Sequence, residues 1–296
     1  MWSRKPSRNS IPLVTIRDMK TLDILVLQRR WRALTQTAYL GDKVVLCRVM
    51  GRYKMYVASD DIGFGSHVML DGFWESWLTQ FMARFIQPGM YVADVGANHG
   101  YYTLLMAEIV GEHGKVAALE PHPVTARHLS NTIAVNGFHD RVELMKIAVG
   151  AVSKDDQVFL MPTGEPKNAR LVDALHAGRP DRVTVNVRPM DMIFHDWPKL
   201  DFIKMDVEGA EEEAIMGARH TLERFKPALL LEFNVGRARN PKALLSWLAD
   251  IYGPPEIVSM DGTTRPTSAE ELLDEKHLED WMLFYTTGHL ARAESG

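Results

Sequence analysis

Two short stretches of this chain carry residues whose types and spacing could do chemistry. The first runs Asp94-Val95-Gly96-Ala97-Asn98-His99-Gly100, with Glu120 twenty residues beyond its last glycine. Glycines that follow a strand let the backbone turn tightly and let a ligand approach closely. The spacing here is G-x-x-x-G. It lacks the middle glycine of G-x-G-x-x-G, which seats a pyrophosphate at a helix N-terminus, and no Gly-Lys-Ser/Thr follows to cradle phosphates. An acidic side chain at the position of Glu120 can accept hydrogen bonds from both ribose hydroxyls. Together these features point to an adenosine ligand without phosphates, a description that S-adenosylmethionine meets. Asp94 would then face its cationic methionine end. The plainer reading is an ordinary strand-to-helix turn with a surface glutamate.

The second stretch is Asp201-Phe202-Ile203-Lys204-Met205-Asp206-Val207-Glu208-Gly209. A central parallel strand is apolar on both faces, and a charge buried there without a partner is expensive. Lys204 and Asp206 are therefore expected either to pair with each other or a neighbour, or to act at a site, with Asp206 beside a methyl acceptor. Lys204, Asp206 and Glu208 are the catalytic candidates. Glu208 and Glu211 begin the next helix, where negative side chains complement the dipole and cap free N–H groups, and Glu208 could also reach a ligand. Asp206, Glu232 and Asn234 would come from adjacent strand ends as oxygen ligands for Mg²⁺. That set is sparse, and a metal is not favoured. Transfer of a methyl group from such an adenosine ligand needs alignment and one group to take any proton released, so a single carboxylate suffices.

These residues must be positioned by strand ends. From Met90 onward the pattern is strand, turn, helix, repeated. Strands are predicted at Tyr91 to Val95, Val116 to Leu119, Val142 to Val149, Phe202 to Val207 and Ala228 to Phe233. Helices are predicted at Tyr101 to Val110, Pro123 to Val135, Ala210 to Phe225 and Pro241 to Ile251, and two further strands, at Ile257 to Met260 and Trp281 to Tyr285, could close the sheet. Strands separated by helices imply crossovers, a parallel sheet and a doubly wound α/β fold, whose ligands sit outside the carboxyl ends of the strands. Upstream, Thr21 to Ala38 reads as a helix, Val44 to Val49 and Tyr53 to Val57 as a β-hairpin, and Glu75 to Ile86 as a second helix. Residues 1–70 are thus expected to be a small N-terminal helix and hairpin appendage to an α/β domain over 71–290. Pro162 to Asp181, rich in Gly and Pro, reads as a substrate lid.

The 296 residues include one cysteine, Cys47, which excludes an intrachain disulfide and a Cys-rich zinc site. No run of about 18 apolar residues is present to span a membrane, and the first residues lack the apolar stretch of a signal peptide, so a cytoplasmic address is expected. Residues 1–60 hold twelve Lys/Arg and four Asp/Glu, a net +8. Against −4 for the whole chain, the remainder is −12. The basic head reads as a solvated helix, a homodimer contact or a peripheral membrane contact, while the acidic body disfavours nucleic acid.

In order along the chain, Asp94-Val95-Gly96-Ala97-Asn98-His99-Gly100-Tyr101-Tyr102-Thr103, Glu120-Pro121-His122-Pro123, Asn131, Asn136-Gly137, Ala148-Val149-Gly150 and Lys204-Met205-Asp206-Val207-Glu208-Gly209-Ala210-Glu211 resemble the FkbM family of methyltransferases. Gly72-Phe73-Trp74-Glu75 is similar to the family's lead-in segment. The resemblance covers roughly residues 60–235. It implies a Rossmann-like methyltransferase sheet and S-adenosylmethionine held by Glu75, Asp94, Gly96, Asn98, Gly100, Tyr101, Glu120 and Ala148. It also implies O-methylation of a sugar, glycan, glycolipid or secondary metabolite. His99 departs from the aliphatic residue common at its position, and is expected to be either a base or a partly exposed loop residue. The rival readings are a nicotinamide-dependent oxidoreductase, which the missing glycine opposes, and a non-catalytic binding protein on the same fold.

Overall fold

The computed structural model describes residues 11–160, 170–172, 182–274, 276 and 279–288. The chain opens with α1 (Ile16–Thr21), α2 (Ile24–Leu34), β1 (Thr37–Gly41), β2 (Val44–Val49), β3 (Tyr53–Ala58), α3 (Phe64–Leu70) and α4 (Ser76–Phe85). The alternating portion follows as β4 (Tyr91–Val95), α5 (Tyr101–Val110), β5 (Lys115–Leu119), α6 (Pro123–Asn136), β6 (Val142–Met145), β7 (Ala148–Val149), β8 (Lys154–Leu160), β9 (Arg170–Val172), β10 (Arg182–Arg188) and α7 (Met190–Ile193). It continues as β11 (Phe202–Met205), α8 (Glu211–Met216), α9 (Arg219–Phe225), β12 (Ala228–Phe233), α10 (Pro241–Tyr252), β13 (Glu256–Val258), β14 (Thr264–Pro266), α11 (Ala269–Leu272) and β15 (Trp281–Tyr285).

Eight strands form the central sheet in the order β14-β13-β15-β12-β11-β4-β5-β6. The run from β6 to β12 is parallel, and β15 enters antiparallel between β12 and β13. From β4 the chain winds outward through β5 and β6; from β11 it winds the other way. The reversal falls between β4 and β11, which pair from Phe202↔Val92 to Met205↔Val95. Alternate side chains along the strands feed opposite faces. Val92, Phe202 and Leu230 join the core under α4, α5 and α6. Ala93, Ile203, Met205 and Leu231 join the core with α8, α9 and α10. The doubly wound α/β fold expected from the pattern is what forms, and the switch point delivers the ends of β4, β5, β11 and β12 to one crevice.

Several elements differ from the sequence reading. The helix expected over Thr21 to Ala38 is two helices, because the Asp23 side chain accepts the N–H groups of Leu25 and Val26 (2.9 and 3.3 Å) and starts α2 afresh. Its expected end is β1, an added strand on the hairpin. The strand expected over Val142 to Val149 divides. β6 stays in the main sheet, while β7 pairs with β10 in a separate four-stranded sheet, ordered β7-β10-β8-β9. A run of strand-forming residues does not name its partner. The expected lid at 162–181 lies outside the described residues except for 170–172. The division expected at residue 70 runs through a packed core: Met19, Leu27 and Trp31 are fully buried in one cluster with Leu78, Met82 and Leu104. The Gln80 amide also donates to the carbonyls of Met19 and Leu22 (3.1 and 2.8 Å). Among the described residues no helix is long and apolar enough to cross a membrane.

Candidate active site

The loop after β4 is built around Gly96 and Gly100, with φ of +81° and +96°. A Cβ on Gly96 would stand 1.8 Å from the Asp206 carbonyl oxygen, and one on Gly100 would stand 2.4 Å from Leu129 Cδ1. These glycines therefore serve close approach within the protein, letting the ends of β4 and β11 touch and letting α5 pack on α6. Asn98 also takes a left-handed backbone, φ +51°, which aims its N–H at Glu120 Oε2 (3.0 Å); His122 N–H donates to Oε1 (2.8 Å). Glu120 is buried. Burial raises its carboxyl to about 7 against the pull of those two N–H groups. The loop and the acidic residue, two separate signals in the sequence, are one hydrogen-bonded unit.

Two strands across the sheet, a second group of charges surrounds Lys204. Its ammonium lies 3.0 Å from Asp206 Oδ2 and 5.1 Å from the centre of the Tyr102 ring. Burial opposes its charge, but the carboxylates of Asp206, Asp94 and Glu75 outweigh that and hold the ammonium above the ordinary lysine range. Asp94 is fully buried; one oxygen accepts from the Thr103 hydroxyl (2.5 Å). Burial raises its carboxyl, with Lys204 pulling the other way. Glu75 takes a left-handed backbone at the start of α4 and accepts from the Tyr102 hydroxyl (2.5 Å). Its carboxyl is likewise raised by burial.

A third group closes the mouth. Arg237 donates to Glu208 Oε2 (2.7 Å), to Glu232 Oε2 (3.0 Å) and to Asp280. Burial and then Asp206 raise the Glu208 carboxyl to about 7, and the same two influences raise Glu232 against the pull of Arg237. Asn234 is engaged at both ends of its amide, donating to Asp280 (2.8 Å) and accepting from Gly236 N–H (2.9 Å). The suggested metal set of Asp206, Glu232 and Asn234 thus meets an arginine. Among the described residues no group of three or more His, Cys, Asp or Glu is arranged to hold a metal. Glu211, the first residue of α8, does not cap it; its carboxylate folds back on the preceding loop, accepting from Val207 and Gly209 N–H (3.0 and 3.1 Å).

These groups line a single cavity of about 260 Å³ at the carboxyl ends of the strands. Of the residues singled out in the sequence, Glu75, Gly96, Asn98, Tyr101, Glu120, Ala148, Lys204, Asp206, Glu208 and Glu232 reach its wall; Asp94, Gly100 and Asn234 do not. Phe64, Trp74, Tyr102, His122 and Asp280 reach it without having been singled out. Tyr102 stood in a motif and could have been read as a wall residue, since it adjoins Tyr101. Phe64 and Asp280 arrive from distant segments and left no local signal. The partly exposed position expected for His99 is a correction: its ring is 1% exposed, stacked between Phe64 and His128.

The model of the methyltransferase FkbM domain family matches residues 94–252, more than half of the chain. The chain belongs to the FkbM methyltransferase family. The match starts at Asp94 and takes in the glycine loop, Glu120 and the Lys204–Glu208 stretch. Phe64, Trp74, Glu75 and Asp280 are contributions to this FkbM site from outside the matched span. The chain is 40% identical over 68 residues to a protein-L-isoaspartate O-methyltransferase of Aeropyrum pernix; that stretch is 23% of this chain and 25% of the relative, so the match spans about a quarter of its length. It is similar to the crystal structure of methyltransferase FkbM from Methylobacillus flagellatus KT (20% identity, TM-score 0.43, covering 66% of this chain and 43% of that one). It is also similar to a SAM-dependent methyltransferase from Aquifex aeolicus (15% identity, TM-score 0.38, covering 68% and 84%).

Proposed function

We propose that this FkbM-family chain transfers the methyl group of S-adenosylmethionine to a hydroxyl of a sugar, glycan, glycolipid or secondary metabolite. One observation carries the reading: a buried carboxylate, Glu120, lies in the cavity wall and is tied through Asn98 to the glycine loop, two strands away from the Lys204–Asp206 pair. At the usual strand spacing the two groups lie roughly 10 Å apart, so a ligand can bind at one and react at the other.

The donor set suits such a ligand. Glu120 retains lone pairs for ribose hydroxyls beyond the two backbone N–H bonds it accepts. Leu119, Pro121, Ile147 and Ala148 offer apolar wall to a base. Carboxylates outnumber cations around the cavity, which suits a ligand carrying a sulfonium and an ammonium. The charge of the lining cation, Lys204, is offset by Asp206 and by the nearby Asp94 and Glu75, surroundings that disfavour a pyrophosphate.

S-adenosylmethionine supplies an already activated methyl group when bound. The chain's own residues then have two tasks, alignment and proton removal, which contribute roughly 7–11 kcal/mol and about 10²–10⁴-fold respectively. Asp206 follows β11 at the switch point, and its side chain is 26% exposed toward the cavity it lines. Lys204 holds one of its oxygens; the other accepts the acceptor's proton. Arg237 fixes Glu208, Glu232 and Asp280 at the mouth, where acceptor hydroxyls find hydrogen-bond partners. The deciding experiment is equilibrium binding of S-adenosylmethionine and of NADH to the full chain, followed by label transfer to a panel of sugars and glycolipids. Binding of NADH in place of S-adenosylmethionine overturns the reading in favour of an oxidoreductase. Binding without label transfer to any hydroxyl acceptor overturns O-methylation.

A further inference from the structure

Behind the cavity wall lies a buried titratable group that the proposed chemistry does not use. Asp61 stands in the turn between β3 and α3, and His99 in the glycine loop. Their side chains are 0% and 1% exposed, with His99 Nε2 3.5 Å from Asp61 Oδ2. Neither oxygen of Asp61 and neither ring nitrogen of His99 has a hydrogen-bond partner, and His128 Nδ1 has none either. The His99 ring is sandwiched between Phe64 of α3 (5.9 Å, 15°) and His128 of α6 (5.2 Å, 21°).

A buried carboxyl that no protein donor satisfies is costly unless a polar or charged partner faces it. The charged and titratable neighbours are few. Asp60 adjoins Asp61 in the turn. His122, Arg127 and His128 approach from the start of α6. Burial first, and then His99, lowers His122 and His128 to about 4, so neither competes for the charge of Asp61. The imidazole of His99 is the group that faces the Asp61 carboxyl, at 3.5 Å. Gly65 lets this happen, since a Cβ there would meet Asp61 Cβ at 2.9 Å and the Ala58 carbonyl at 3.1 Å.

The two partners belong to different walls of the cavity. The segment after Asp61 carries Phe64, Trp74 and Glu75, and the loop holding His99 carries Gly96, Ala97 and Asn98. We propose that Asp61 and His99 are positioning residues for the adenosyl ligand, their buried 3.5 Å contact holding the Phe64–Glu75 segment against the glycine loop. This rests on the S-adenosylmethionine reading of the cavity. The pair touches no ligand; it acts through Phe64 on one side and through the Asn98–Glu120 bond on the other.

The test uses the full chain and the variants Asp61→Asn, His99→Gln and their combination. Calorimetry with S-adenosylhomocysteine is expected to show each single variant weakened about tenfold or more and the double variant scarcely worse, the coupling that a shared pair requires. In turnover, KM for S-adenosylmethionine rises in Asp61→Asn while kcat at saturation holds. Hydrogen exchange on the ligand-free protein is expected to show faster exchange over residues 61–70 in both single variants. Variants that melt earlier yet bind S-adenosylhomocysteine within twofold of the wild type overturn the proposal in favour of a purely structural pair. A wild type that binds no adenosyl ligand overturns the functional reading instead. Unchanged exchange over 61–70 overturns the latch even then. If Asp61→Asn does not fold, His99→Gln carries the same measurements.

Discussion

The Glu120 carboxyl offers a measurement that needs no knowledge of the acceptor. Burial raises it to about 7, so near neutral pH the ligand-free protein is expected to hold a substantial fraction of it protonated. Two ribose hydroxyls donating to it would stabilise the charged form. A hydrogen bond to a charged group contributes roughly 1.5–3 kcal/mol, and about 1.4 kcal/mol corresponds to one pKa unit. Even one such bond carries Glu120 below neutral, so binding should release about half a proton at pH 7. Calorimetric titrations in two buffers of different ionisation enthalpy measure that number. The sign fixes the pH dependence: because the ligand prefers the deprotonated carboxyl, affinity should rise with pH by up to about tenfold per unit below the Glu120 value and level off above it. For the empty protein the sign is opposite. A carboxyl raised from 4.5 to about 7 is neutral and harmless at low pH, and it costs stability progressively as pH climbs from 4.5 to about 7, where the loss is complete, by about 3 kcal/mol at most. Glu120→Gln should therefore abolish the proton release and weaken S-adenosylmethionine binding by about ten- to a few hundredfold. It should also remove the loss of stability between pH 4.5 and about 7. Buffer-independent heats in the wild type, or a release that survives in Glu120→Gln, would refute the ribose assignment.

Three further outcomes are expected. Asp206→Asn should cut turnover about 10²–10⁴-fold with S-adenosylmethionine affinity little changed; a variant that instead stays active and loses about 3–5 kcal/mol of stability, by thermal melting, would mark Asp206 as the structural partner of Lys204 alone. Arg237→Met leaves Glu208, Glu232 and Asp280 facing one another without their cation. The folded-state carboxyls of Glu208 and Glu232 are already raised, so the variant's deficit should be small in mild acid and reach about 1–3 kcal/mol at alkaline pH, read from denaturant midpoints across pH. Trp31→Ala, which empties a fully buried site shared with the sheet, should cost about 3–5 kcal/mol and be visible as a single lowered transition; a separate early transition would show that the N-terminal helices melt on their own.

The parts legible in the sequence were those written in consecutive residues. β4 and its glycine loop, β5 ending at Glu120, and β12 all stand where hydrophobic runs and turn residues put them. The pairing of Lys204 with Asp206 followed from two charges on one buried strand. What could not be read depends on segments far apart in the chain. Arg237 sits in an ordinary polar loop until β11, β12 and the residues before β15 bring three carboxylates to it. His99 looked like a loop residue because nothing nearby announces that Phe64, 35 positions earlier, will cover it. The same holds for Trp31, whose burial against α4 turns an apparent appendage into part of the core. The N–H groups that hold Glu120 were hidden for another reason: backbone donors leave no mark in composition.

The placement of β15 has a consequence for how the molecule is made. The last strand of the described chain is not an edge; it is inserted between β12, which pairs with it from Trp281 to Tyr285, and β13, which pairs at Leu283 and Phe284. While the protein emerges from the ribosome, β12 therefore waits with one side unpaired until Tyr285 is out. Through that interval an apolar strand edge is available to any neighbouring chain. Asp280, just ahead of β15, then meets Arg237 as the strand docks, so the mouth of the cavity is completed only once β15 is in place. A nascent chain stalled before this point would carry a finished glycine loop and a β12 edge still open to another chain.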